Sequence, residues 1–308
     1  MPRLLTRPLL VLVLCLGAFA ARPCAAQGDA LEELFGERNR KQRALPEDPD
    51  ELVAELARRG RYQRALNVLD ALASKAPLDQ SQLLAKGRIL LTVGRFDELG
   101  ELVESGLAER PESDALWLLR ARRAELSSQL DGAVMAYRKV IELNPRGIEG
   151  TEARVRLGFV LRDLGRLGEG QALWLSLVSS YERDENPDPS ARELFMTGLA
   201  CRGLDLCKEV KQQFSKPMYK YVQVMFDQAL RLDRGDIELL CAYGEAFSDK
   251  FNFADARKLL ARAVELNGAY PDARVALAEA LLGSYELGFA RFDQARRHLD
   301  ADALGYGL

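Results

Sequence analysis

Asp114 to Pro145, DALWLLRARRAELSSQLDGAVMAYRKVIELNP, is the stretch from which the rest of the chain is read. Trp117, Ala121 and Ala124 fall on one face of a first helix, and Ala133, Tyr137, Val140 and Ile141 do the same in a second. Ser127 to Asp131 leaves room for a turn, and Pro145, which lacks the N–H to continue a helix, closes the pair. A pair of this size cannot bury its apolar stripe alone, so copies must stack.

The copies are present. Ala65, Leu99 and Ala133 recur every 34 residues, and Pro77, Pro111 and Pro145 keep the same period. A fixed phase over three copies is not a property of unrelated amphipathic helices. Upstream, Glu51 to Arg59 reads as a helix ending at Gly60, with Tyr62, Ala65, Leu69 and Leu72 on its partner. Downstream, the spacing loosens. A fourth copy carries Gly158, Leu161 and Trp174 and runs into the linker Tyr181 to Ser190. A fifth carries Leu194, Gly198 and Cys201, but its second helix is expected only at Tyr219 to Leu232, after an insertion between Asp205 and Pro217. A sixth carries Leu240, Tyr243 and Gly244, then Phe253, Ala256 and Leu260. A seventh is expected with Val275, Leu277 and Leu281, then Phe292, Ala295 and Leu299.

Trp117 with Ala121 and Ala124, then Ala133, Tyr137 and Pro145, resembles the tetratricopeptide repeat. Gly87, Gly158, Gly198 and Gly244 match that family's glycine slot, and Ala121 replaces the glycine in the third copy. Small residues suit that slot because the two helices of a pair cross closely there. The resemblance implies an all-α, right-handed superhelical solenoid of about seven repeats over residues 46–304. The repeats are expected at 46–79, 80–113, 114–147, 151–184, 191–236 with an insertion, 237–270 and 271–304.

The N-terminus predicts a different fate for the first residues. Arg3 and Arg7 precede the apolar run Leu9 to Ala21, and Arg22, Pro23, Cys24, Ala25 and Ala26 follow it. That run is short for a membrane span of roughly 20 residues and has the form of a secretory signal, with cleavage expected after Ala26. Residues 27–45 read as a charged leader. The chain is therefore expected to be exported, to the periplasm or beyond the cell, with no stable membrane insertion after cleavage.

Composition narrows the function classes. The chain is 48% hydrophobic and 29% charged, as globular proteins are. Its formal net charge of −3 becomes −6 once a signal with three arginines and no acids is removed, which disfavours a general nucleic-acid binder. His298 is the only histidine, so histidine-based zinc sites, serine triads and HExxH peptidase motifs are excluded. Gly165 to Gly170, GRLGEG, has the wrong spacing for a dinucleotide fingerprint. Glu245 and Asp249, with Glu238 two turns earlier, read as a solvated acidic face in preference to an acid–base pair. Cys201, Cys207 and Cys241 read as small buried hydrophobes, the alternative being a Cys201 to Cys207 disulfide in an oxidising compartment. No catalytic residues, cofactor or metal are expected.

What remains is binding. In the tetratricopeptide family the first helices line a concave groove, and the resemblance carries three columns of groove residues onto this chain. The first holds Leu84, Leu118, Val155, Phe195 and Cys241; the second Arg88, Arg122, Phe159, Leu199 and Glu245; the third Leu91, Glu125, Arg162, Arg202 and Ser248. Arginines interleaved with apolar residues suit a protein or peptide bearing acidic groups or a free C-terminal carboxylate. The alternative is that these arginines pair with Glu125, Asp163 or Glu152 of the chain itself. The implied function is a non-catalytic protein-binding scaffold in the cell envelope. Two others stay open: the accessory repeat region of a larger secreted enzyme, and a component of envelope assembly or polysaccharide export.

Overall fold

The computed structural model describes residues 45–183, 186–207 and 217–283. The expected signal and leader up to residue 44, the insertion at 208–216, His298 and the second helix of the seventh repeat lie outside them. Thirteen helices and no strand occur among the described residues. They form six antiparallel pairs and one further first helix: α1 (Pro49–Arg58) with α2 (Tyr62–Ala73), α3 (Gln80–Thr92) with α4 (Phe96–Glu109), α5 (Asp114–Leu126) with α6 (Leu130–Leu143), α7 (Ile148–Asp163) with α8 (Leu167–Glu182), α9 (Ala191–Asp205) with α10 (Met218–Leu232), α11 (Ile237–Ser248) with α12 (Phe253–Leu266), and α13 (Pro271–Gly283).

Local chemistry sets the helix ends. The first helix starts two residues before the expected Glu51 because Pro49 occupies its first turn and the Asp48 carboxylate accepts from the backbone N–H groups of Asp50 and Glu51. Asp79 with Gln82, and Ser190 with Glu193, form reciprocal capping boxes. Between the helices of a pair the chain turns through one left-handed residue: Gly60, Gly94, Ser128, Gly165 or Phe251. In each turn the following N–H reaches back to the carbonyl of Leu56, Leu90, Ala124, Leu161 or Phe247 at 2.7–3.0 Å, a Schellman ending repeated five times.

Packing follows from the same periodicity. Successive first helices touch one another, and each second helix touches the first helices on both sides of it. The first helices therefore form the inner, concave layer and the second helices the outer one. Each first helix buries two faces. Leu116 and Leu119 of α5 join Leu90, Leu99 and Val103 behind them, while Ala121 and Ala124 meet Ala133, Tyr137 and Val140 of their own partner. At the fourth crossing a side chain on Gly158 would overlap Trp174, whose fully buried indole N–H donates to the Val155 carbonyl at 3.0 Å.

No described helix is long and apolar enough to cross a membrane. Cys201, Cys207 and Cys241 are free and buried, and α9 runs unbroken past the point where a Cys201 to Cys207 bridge would require it to stop. Burial pushes the Cys201 thiol up to about 12.

Candidate functional site: the concave face

Three first-column residues do not lie on the groove. Val155 and Phe195 are 0% and 1% exposed and belong to the core around Trp174 and Phe226, and Cys241 is buried in the next cluster. The reason is the double burial of the first helices. Phe195 packs on Phe226 of its own pair at 5.8 Å and shares a core cluster with Tyr243 of the next, so the strip left for the concave face is narrower than three full columns. Leu84 and Leu118 are only partly covered at the equivalent positions.

The arginines divide into two groups. Arg88 is exposed and has no acid within ion-pair distance among the described residues. Arg122 reaches Glu152 only at 3.7 Å, and its Nε is buried without a hydrogen-bond partner. Arg162, in contrast, is engaged by Asp163 at 2.8 Å and stacks over Phe159 at 5.1 Å. Arg202 is held by Glu245 at 2.8 Å and Asp249 at 2.9 Å, which neutralises two of the three acids in the expected acidic face. Phe159 and Leu199 are half-buried against the core around Trp174.

The third acid, Glu238, belongs to a web that the three columns miss. Arg156 donates to Glu152 at 2.8 Å and to Glu238 at 2.7 Å. Arg192 donates to the same two carboxylates, at 2.6 Å and 2.7 Å. Glu125 approaches Arg156 at 4.0 Å and accepts a hydrogen bond from the Tyr137 hydroxyl. The side chains of Glu152 and Arg156 are only 8% and 16% exposed.

At both shared carboxylates the neighbouring arginines outweigh burial. Burial opposes ionisation of Glu152, but Arg156, Arg192 and Arg122 outweigh it and hold the carboxyl well below the ordinary range. Burial opposes ionisation of Glu238 too, and Arg192, Arg122 and Arg156 again prevail. Arg156 stays charged against its burial because Glu152 and Glu238 flank it. Burial raises Tyr137 well above an ordinary phenol, with Glu125 adding to the shift.

A sequence signal for this web existed. Glu152, Arg192, Glu238 and Asp272 each stand six residues before a small slot, at Gly158, Gly198, Gly244 and Ala278. Three of these residues, Glu152, Arg192 and Glu238, carry alternating charge in successive repeats, as an inter-repeat ladder requires. No group of acids, cysteines or histidines among the described residues has the arrangement of a metal site.

No protein-family model matches the sequence, and no curated protein sequence matches it. Among solved structures, the Cut9–Hcn1 hetero-tetramer of the APC/C superposes with a TM-score of 0.53 at 14% identity, over 83% of this chain and 46% of that one. The chain has a tetratricopeptide-repeat fold. It spans a little under half the length of that Cut9–Hcn1 chain. A tetratricopeptide repeat protein from Parabacteroides merdae is aligned over 84% of this chain and 98% of its own, with 15% identity and a TM-score of 0.44. The thermophilic TPR protein TTC0263 of Thermus thermophilus is aligned over 76% and 97%, with 19% identity and a TM-score of 0.39. At these identities the likeness concerns the tetratricopeptide-repeat fold and not a shared activity.

Proposed function

We propose that this chain is an exported, non-catalytic scaffold that binds a protein partner along the concave face of its second and third repeats. The coarse reading rests on the fold, since stacked helix pairs present an extended concave surface. The finer reading rests on one observation: of the arginines expected to line the groove, Arg88 has no acid within ion-pair distance among the described residues and Arg122 has only a long pair with Glu152 at 3.7 Å, whereas Arg162 and Arg202 are held by acids at 2.8 Å. They occupy the same slot in adjacent repeats, beside the partly covered Leu84 and Leu118. A guanidinium fork next to an apolar patch suits a peptide bearing a carboxylate, as an acidic side chain or a free C-terminus. Export is inferred from the N-terminal signal pattern.

The test uses the mature chain as bait in the envelope fraction. Replacing Arg88 by Ala and Arg122 by Lys together keeps a charge beside Glu152 but removes the fork. This double variant is expected to lose the captured partner, and replacing Arg162 and Arg202 by Ala is expected to retain it. Equal capture by both double variants overturns the assignment of the site.

A further inference from the structure

We propose that the two ends of the described solenoid are latched to each other, and that this latch is a closed state from which the concave face opens. Asn267, at the end of α12, is 2% exposed, although the turns around it are largely solvent-facing. Its side-chain oxygen accepts from the Ala269 N–H at 3.0 Å. Its amide donates to the Tyr62 hydroxyl at 2.9 Å and, more weakly, to the Ala57 carbonyl at 3.4 Å. The partners are 205 and 210 residues away, in the first pair of helices.

Three further features favour the contact. Gly60, in the first turn, leaves no side chain where one would overlap the Asn267 amide oxygen and lie 2.8 Å from the Ala269 methyl group. Burial at this contact raises the Tyr62 phenol. Asn144 shows what the same residue type does without such a contact. It also ends a second helix and accepts a turn N–H, from Gly147 at 2.8 Å, but its amide goes to Asp114 of its own repeat at 2.6 Å.

The latch is small enough to open. Among the described residues it shows two hydrogen bonds and the close approach at Gly60, and no pair of described helices from opposite ends packs extensively together. Opening it leaves the hydrophobic clusters within the repeats intact. What it controls, access to the concave strip, rests on the groove-binding reading. Its existence does not.

The experiment is an inter-end distance measurement on the full mature chain, with spin labels at Arg64→Cys and Lys258→Cys, both exposed positions. The three native cysteines of the described residues are buried and spared by the label. The unlatched comparison variants are Asn267→Ala and Gly60→Ala. Gly165→Ala is the control, because Gly165 is left-handed like Gly60 but has nothing within 4 Å of an added methyl. The latch predicts one narrow, short distance in the parent, longer and broader distances in Asn267→Ala and Gly60→Ala, and the parent distance in Gly165→Ala. A broad, long distance in the parent, unchanged distances in both latch variants, or an equal shift in Gly165→Ala overturns it. Partner capture is not read here, so a failed groove assignment and a failed latch give different results.

Discussion

Repeats one to three and repeats four to six use the same helix pair for different ends. In the first group the period holds at 34 residues, the concave residues Leu84, Arg88 and Leu118 stay at least partly open, and ion pairs such as Arg95 with Glu98 sit at the surface. In the second group the distance between small slots lengthens, reaching 46 residues between Gly198 and Gly244. There Arg156 and Arg192 cross the concave face to shared acids. Arg156 of the fourth repeat bonds Glu238 of the sixth, so the array is not a stack in which each repeat meets only its neighbours. Regular spacing thus marks the nearest-neighbour core, and contacts beyond it depend on how the superhelix curves.

Removal of Glu152 has the largest expected effect. Glu152→Ala leaves Arg122, Arg156 and Arg192 facing a chamber with one fewer carboxylate, and removing one partner of a buried pair costs about 3–5 kcal/mol. Glu98→Ala, which breaks an exposed pair in the second repeat, should cost no more than about 0.5 kcal/mol. Denaturant unfolding of both variants measures this. The same residue gives a pH signature. Its folded carboxyl lies below the ordinary 4.5, so its stabilisation is present above that value and is lost as pH falls from there toward the folded value. The parent should lose stability over that acid range more steeply than Glu152→Gln, and identical acid profiles would contradict the web.

A smaller effect is expected where the two groups turn alike. Phe251 adopts the left-handed conformation that Gly94 adopts in the second repeat, and its ring is 74% exposed. A non-glycine residue there costs roughly 1–2 kcal/mol, partly offset by the backbone entropy that glycine loses on folding. Phe251→Gly should therefore raise stability by up to about 1 kcal/mol, and Gly94→Ala should lower it by a similar amount. Thermal melts of the pair check the sign.

The sequence carried most of the fold because the fold is local. Ala65, Leu99 and Ala133 each report burial within their own pair, and Gly158 reports its crossing with Trp174. The concave face was only partly legible. Arg88 and Arg122 could be placed from the slot alone, whereas Val155 and Phe195 were assigned to the groove by a column wider than the exposed strip. Pairing of Arg162 with Asp163 was visible as a neighbour in sequence. The Arg156 to Glu238 contact was not, because no period relates residues in the fourth and sixth repeats. The Asn267 contact with Tyr62 was further from view still, since it depends on the summed rotation of every repeat between them.

The charged side chains of repeats four to six act mainly to hold the repeats together. A double-mutant cycle on Arg156→Met and Glu238→Gln, read by denaturant unfolding, tests this most directly. The web predicts a coupling of about 1–3 kcal/mol between two residues 82 positions apart. Additive effects, with coupling below about 0.5 kcal/mol, would contradict it.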